Sequence, residues 1–194
     1  MELIDNKYRL NGGIDPLELC KKYGTPLYVY DASVIERQYK RIANAFKVPK
    51  LEIHYACKAN SNISVLRFLK ELGSGLDCVS IGEVETGIRA GFAPEDITFT
   101  PNCVGMEGYE RAVELGVKIN VDSISILEQF GQKHHDYPIC LRINPHVMAG
   151  MYLKNFVGHT NLKIGINFFQ LPPLFGGGRG NLNKGGWFFF DFFV

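Results

Sequence analysis

The residues best suited to chemistry lie in His54-Tyr55-Ala56-Cys57-Lys58-Ala59-Asn60, behind the apolar lead-in Leu51-Glu52-Ile53. The pattern predicts a buried strand from Leu51 to Ala59 whose last side chains emerge at its end, with Lys58 as the charged one. Lysine is among the residues least often buried, and the immediate neighbours Ala56, Cys57 and Ala59 carry no carboxylate. Desolvation there would favour the neutral amine, the form that attacks a carbonyl, so one reading of Lys58 is a Schiff-base lysine. The other is a lysine whose stem packs on the strand while its ammonium reaches water. The stretch alone leaves both open.

The elements that must position Lys58 follow a regular plan. Strands are predicted at Leu51 to Ala59, Leu76 to Ser80, Ile97 to Asn102, Lys118 to Ser123 and Ile139 to Asn144, so strand ends recur about every 22 residues. Helical segments fall between them: Ile63 to Leu72, Ile81 to Ala90, Met106 to Leu115 and Ile124 to Phe130, with Gly73, Gly91, Gly116 and Gly131 as stops. Strand then helix in succession implies a parallel sheet with right-handed crossovers. Two architectures satisfy that: a doubly wound open sheet and a (β/α)8 barrel.

The strand ends favour the barrel. They carry polar groups a buried strand does not need: Lys58 and Asn60, Asp77 and Ser80, Asn102, Asp122, then Arg142 and Asn144. In a barrel these ends converge on one rim, where active sites lie. A doubly wound sheet more often has a glycine-rich phosphate turn after its first strand, and Ala59-Asn60-Ser61-Asn62 is not one. Asn60, Ser80 and Asp122 each also fit the bland role of helix cap.

Upstream, an extended segment around Tyr8-Arg9-Leu10 leads through Asn11-Gly12-Gly13 into a helix from Pro16 to Tyr23, with Asp15 as N-cap and Gly24 as stop. Thr25 to Asp31 reads as a strand, and a helix at about 32–46 buries Val34, Ile35, Tyr39, Ile42 and Phe46.

Composition narrows the function classes. The 194 residues are 46% hydrophobic and 21% charged, a globular balance, and a net charge of +1 gives no electrostatic case for nucleic acid or an anionic membrane. No apolar run reaches membrane-spanning length, and Met1-Glu2-Leu3-Ile4-Asp5 is not a secretion signal, so a cytoplasmic protein is expected. The five cysteines lack any CxxC spacing; no disulfide framework or metal site is suggested, and they read as small buried hydrophobes.

Three ordered stretches carry a family resemblance: Tyr55-Ala56-Cys57-Lys58-Ala59-Asn60, Gly75-Leu76-Asp77-Cys78-Val79-Ser80-Ile81-Gly82-Glu83 and Ala90-Gly91-Phe92-Ala93-Pro94-Glu95-Asp96-Ile97. Asn120-Val121-Asp122-Ser123, Leu141-Arg142-Ile143-Asn144-Pro145 and Gly158-His159 through Ile166 follow in order. Over about residues 5–174 the chain resembles the pyridoxal-phosphate-dependent decarboxylases with an alanine-racemase-like barrel. Within that class, Pro26 to Asp31, Asp77-Cys78-Val79-Ser80 and Arg142-Ile143-Asn144-Pro145 look most like the diaminopimelate decarboxylases, which release carbon dioxide from meso-2,6-diaminopimelate to give L-lysine. Decarboxylases of ornithine, arginine or carboxynorspermidine, and a non-catalytic pyridoxal-phosphate-binding barrel, are the alternatives.

The resemblance implies roles residue by residue. Lys58 matches the catalytic lysine that holds pyridoxal 5'-phosphate; Asp77 and Glu83 match acidic positions near the cofactor, and Arg142 the arginine that approaches its ring. His159 matches an active-site loop. The bland readings are a first-turn helix carboxylate for Glu83, an ion pair with Asp122 for Arg142, and an exposed loop histidine for His159.

The resemblance also implies a small amino-acid substrate and a homodimer. It divides the chain into an N-terminal segment, 1–30, that in the family joins a β domain, the N-terminal part of the barrel, 31–174, and an aberrant or frame-shifted tail, 175–194. The fold expected is therefore α/β: an incomplete (β/α)8 barrel, for which about 250 residues are typical, with the C-terminal β domain absent.

Overall fold

The computed structural model describes residues 2–4, 6–144 and 165–167. His159 and the 175–194 tail lie outside them. The chain opens with an antiparallel pair, β1 (Glu2–Ile4) and β2 (Lys7–Arg9), then α1 (Pro16–Tyr23) and α2 (Ala32–Ala45). Both helix starts are as the sequence predicts: Asp15 accepts the Leu17 N–H at 2.9 Å, and Asp31 accepts from Ser33 at 3.0 Å and Val34 at 3.3 Å. Neither helix has a buried residue, so the face predicted around Ile42 and Phe46 stays open. The strand predicted over Thr25 to Asp31 is absent. A strand exists only within a ladder, and here Tyr28, 85% exposed, and its neighbours Val29 and Tyr30 meet no partner strand.

The regular part follows: β3 (His54–Ala56), α3 (Ile63–Glu71), β4 (Gly75–Cys78), α4 (Ile81–Ala90), β5 (Ile97–Phe99), α5 (Met106–Leu115), β6 (Lys118–Val121), α6 (Ile124–Lys133) and β7 (Ile139–Leu141). The strands form one parallel sheet in the order β3-β4-β5-β6-β7. That sequential order has no point where the winding reverses, so the sheet is an arc of a barrel, not a doubly wound sheet. A short parallel pair, β8 (Ile143–Asn144) and β9 (Ile166–Asn167), forms a separate two-stranded sheet directly after β7. The Arg142 N–H donates to the Val121 carbonyl at 2.8 Å, and the Arg142 carbonyl accepts from Ile166 N–H at 2.8 Å. Among the described residues no helix is long and apolar enough to cross a membrane.

Alternation along the strands sorts side chains into two sets. Leu76, Cys78, Ile97, Phe99, Ile119 and Val121 are fully buried with Leu66, Val84, Tyr109, Ala112 and Phe130 from the helices. Each of the Leu, Ile, Val and Phe side chains among them contributes about 1.5–3 kcal/mol. Phe99, Tyr109, Phe130 and Tyr137 form a run of edge-on ring contacts at 5.8–6.2 Å. The other set, His54, Asp77, Thr98, Thr100 and Asn120, occupies the inner face of the arc. At the lower end His54 Nδ1 lies 3.3 Å from the Thr98 hydroxyl, while Glu52 bridges His54 and Lys118.

Several element ends differ from the sequence expectation. The first regular strand stops at Ala56, and Lys58 sits on a 3₁₀ turn, Cys57–Ala59. The third stops at Phe99, because Pro101 has no N–H to continue the ladder. The last helix runs through Gly131 to Lys133, held by buried Phe130, whose carbonyl accepts from His134 N–H at 2.7 Å.

Two glycines give opposite expectations. A Cβ on Gly87 would meet Leu76 Cδ2 at 2.5 Å and Ile97 Cδ1 at 3.3 Å, in the packed layer between α4 and the sheet. Gly87→Ala is expected to destabilise by about 1–2 kcal/mol, the overpacking cost outweighing the helix-propensity gain. Gly131, inside α6, has open space beyond it. Gly131→Ala is expected to stabilise by about 0.5–1 kcal/mol. Urea denaturation of both variants checks the pair; equal signs would refute the packing argument.

Candidate active site

The upper rim is organised around the turn that carries Lys58. The Asn60 N–H donates to the Cys57 carbonyl at 3.1 Å, and the Tyr55 hydroxyl reaches the Asn60 carbonyl at 3.4 Å. The Asn60 side chain accepts from Asn62 N–H at 3.0 Å, and that of Asn62 caps α3 through Ser64 N–H at 2.9 Å. Asn60 is therefore an Asx turn, with the cap two residues later. Lys58 itself is exposed, in place of the partly desolvated strand-end lysine predicted. The turn carries it off the end of the sheet, so its backbone is fixed while the residue reaches the surface.

Beside the turn the inner face carries a directed hydrogen-bond chain. The Thr100 hydroxyl donates to Asp77 Oδ1 at 2.6 Å, and Asn120 Nδ2 donates to the same hydroxyl at 2.9 Å. A carboxylate can only accept, so the Thr100 proton must point to Asp77, and Asn120 must present its amide nitrogen. The Asn120 carbonyl oxygen is thereby left without a partner among the described residues, though Asn120 is only 7% exposed. An orphaned buried acceptor of this kind calls for a donor.

Glu83 does two things at once. Its N–H donates to the N-cap Ser80 hydroxyl at 3.3 Å, and its carboxylate accepts from Val79 N–H at 2.8 Å, a reciprocal arrangement close to a capping box. The sequence readings of Ser80 as a cap and of Glu83 as a first-turn carboxylate both hold. Its carboxylate also lies beside the Cys57 and Cys78 thiols.

Asp122 is half-buried just above β6, and Ser123, not Asp122, caps α6. Burial pushes the Asp122 carboxyl above the ordinary carboxylate range, while the Arg142 charge opposes the shift. Arg142 is half-buried.

Lys58 thus follows β3, Asp77 lies near the end of β4, Glu83 is in the first turn of α4 and Arg142 follows β7, at the same ends of strands of one parallel sheet. Thr100 and Asn120 were not singled out from sequence as site residues. The signal was present: each stands on the inner-face parity of its strand, and β5–β6 pairing through Thr98↔Lys118 makes them neighbours.

A barrel arc whose rim presents an exposed lysine, a held carboxylate, and an aspartate within the field of an arginine belongs to a definable class. Residues 32–173 match the family described as pyridoxal-dependent decarboxylase, pyridoxal binding domain, and the chain belongs to that family. Among its relatives is the diaminopimelate decarboxylase of Methanothermobacter thermautotrophicus, 39% identical over 178 residues, which span 90% of this chain and 42% of the relative. That of Escherichia coli K12 is 37% identical over 160 residues, 80% of this chain and 37% of the relative. The diaminopimelate decarboxylase structure of M. jannaschii in complex with L-lysine superposes with a TM-score of 0.74 at 32% identity, covering 87% of this chain and 41% of that one. That of Helicobacter pylori complexed with L-lysine gives 0.73 at 34%, covering 82% and 42%. The chain spans about two fifths of the length of the curated relatives it matches.

The family's cofactor is pyridoxal phosphate. The chemistry of this rim fits its aldehyde and ring: a primary amine on a fixed turn, a carboxylate locked by Thr100, and a buried acceptor awaiting a donor. Among the described residues no glycine-rich loop opens a helix at this rim for the phosphate.

Two outcomes follow from this geometry. Thr100→Val keeps the volume but strips Asp77 and Asn120 of their shared partner, and is expected to cost about 1–3 kcal/mol in denaturant unfolding. Arg142→Gln removes the charge that restrains Asp122, so the Asp122 carboxyl should titrate higher still, read by carbon-detected NMR. A group raised in the folded state contributes stability that is lost as pH rises through its folded pKa. The variant should therefore lose more stability than the parent between acid and neutral pH, and an unchanged Asp122 titration would refute the coupling.

Proposed function

We propose that this chain supplies the pyridoxal-binding part of a cytoplasmic, homodimeric decarboxylase that converts meso-2,6-diaminopimelate to L-lysine and carbon dioxide. The observation that carries the reading is the placement of Lys58 on a rigid, accessible turn at the rim of a sequentially ordered barrel arc, next to the Asp77–Thr100–Asn120 chain. Relatives named for this activity, two of them solved with L-lysine, support the substrate class.

Pyridoxal phosphate, when bound, supplies an electron sink for the electron pair left behind as carbon dioxide departs. The chain's own residues do the rest. Lys58 would hold the cofactor through its nucleophilic amine and could carry a proton when that amine is free. Asp77, unable to rotate because Thr100 donates to it, holds a negative charge in one place and orients the cationic groups above it. Arg142, tied by its backbone to β6 and β9, brings positive charge to the rim beside Asp122. Glu83 fixes the start of α4 and with it the wall beside the turn. His159, which the family resemblance adds, lies outside the described residues.

The reading is tested in the full-length protein by carbon dioxide release from diaminopimelate, ornithine and arginine supplied separately. Release from diaminopimelate, with at least a thousandfold loss in Lys58→Ala, is the expected result, since such a variant loses the nucleophile outright. Borohydride trapping followed by peptide mapping should place pyridoxal on Lys58. Release from ornithine or arginine alone would overturn the substrate; label on another lysine would overturn the assignment of Lys58.

A further inference from the structure

Behind the Lys58 turn lies a second cluster. The β3–β4 ladder ends with Ala56 paired to Asp77; Cys57, the first residue of the turn after β3, and Cys78, the last of β4, follow that pair. Both are fully buried and free. Glu83 reaches them from the first turn of α4, and the two Sγ atoms and a Glu83 carboxylate oxygen all lie within 4.8 Å of one another. Among the described residues this is the one such group of three.

We propose that Cys57, Cys78 and Glu83 form a site for a soft divalent cation of the zinc class, which staples the Lys58 turn to β4 and to the start of α4. Two thiolates and a carboxylate, with a water in the fourth position, form a donor set suited to tetrahedral zinc. Bonds of about 2.3 Å to sulfur and about 2.1 Å to oxygen place ligand atoms roughly 3.5–3.8 Å apart. The ligand atoms, already within 4.8 Å of one another, need to close by only about 1 Å to reach that spacing. Glu83 is anchored through Val79 N–H, and a carboxylate retains acceptor capacity for a metal.

Burial first, then the Glu83 charge, pushes the Cys57 thiol up to about 11, and burial drives the Cys78 thiol further in that direction. Binding releases two protons, so affinity should rise with pH. Half-buried Glu83, at the rim, marks the entry path. The three ligands come from three elements, and the site is one residue from Lys58 and one from Asp77. A bound cation would fix the base of the turn, whatever the enzyme's substrate.

Cobalt(II) titrated into the full chain, kept reduced with a phosphine, provides the test. One equivalent should produce the intense sulfur-to-cobalt charge-transfer band and the visible bands of a tetrahedral site, both lost when zinc is added. Cys57→Val with Cys78→Val keeps the core apolar and should abolish the band. A Cys20→Ser, Cys103→Ser, Cys140→Ser variant should retain it. Zinc-edge X-ray absorption of the parent chain, which needs no variant, should count two sulfur ligands. A natively folded chain with no band, a band that survives loss of Cys57 and Cys78, or zinc held only by oxygen and nitrogen would each overturn the proposal. None of these readouts depends on carbon dioxide release, so the decarboxylase reading stands or falls separately.

Discussion

The parallel register of β3 to β7 is the constraint from which the rest of the molecule follows. With Ala56 opposite Asp77, Asp77 opposite Thr98 and Asn120 opposite Cys140, alternation leaves no freedom about which side chains face the helices. A slip of one residue on β4 would turn Leu76 and Cys78 inward and send Asp77 into the apolar layer against α3 and α4. Burial of Leu76, Ile97 and Phe99 thus fixes the same register that brings Asp77, Thr100 and Asn120 together. Core packing and site assembly are one selection, not two.

That coupling explains what could be read from the chain. The strand–helix alternation was legible because each helix has its own start and stop; Ile81–Ala90 and Met106–Leu115 match their predicted bounds. Barrel against open sheet was argued from the polar strand ends, and the sequential strand order bears it out. Thr25 to Asp31 was misread because strand propensity says nothing about whether a partner ladder is present. Gly131 was misread because glycine in a helix costs only about 1 kcal/mol, less than burying Phe130 returns.

At the site, side-chain types were legible and their surroundings were not. Lys58 was found from its neighbours, yet its exposure depends on a 3₁₀ turn built from Cys57, Asn60 and Asn62, and no periodicity signals that. The Cys57–Cys78 pairing was equally hidden. Their separation in sequence is that of one strand–helix repeat, but without the register it reads as two unrelated cysteines.

The inner face carries an energetic imbalance that the outer face does not. Against the helices, apolar groups meet apolar groups. Inside, a carboxylate, a hydroxyl and an amide share two hydrogen bonds, and the Asn120 oxygen is left over at a cost of about 1–3 kcal/mol. Replacing the three by apolar residues would remove that cost, as happens throughout the layer behind them. A fold that keeps such a chain at the ends of its strands gives up stability where it gains placement: Asp77 cannot turn away from the rim while Thr100 donates to it, and Thr100 cannot release it while Asn120 holds the other side. The orphaned acceptor is the open end of that chain, and it lies on the inner face whose upper rim carries Lys58.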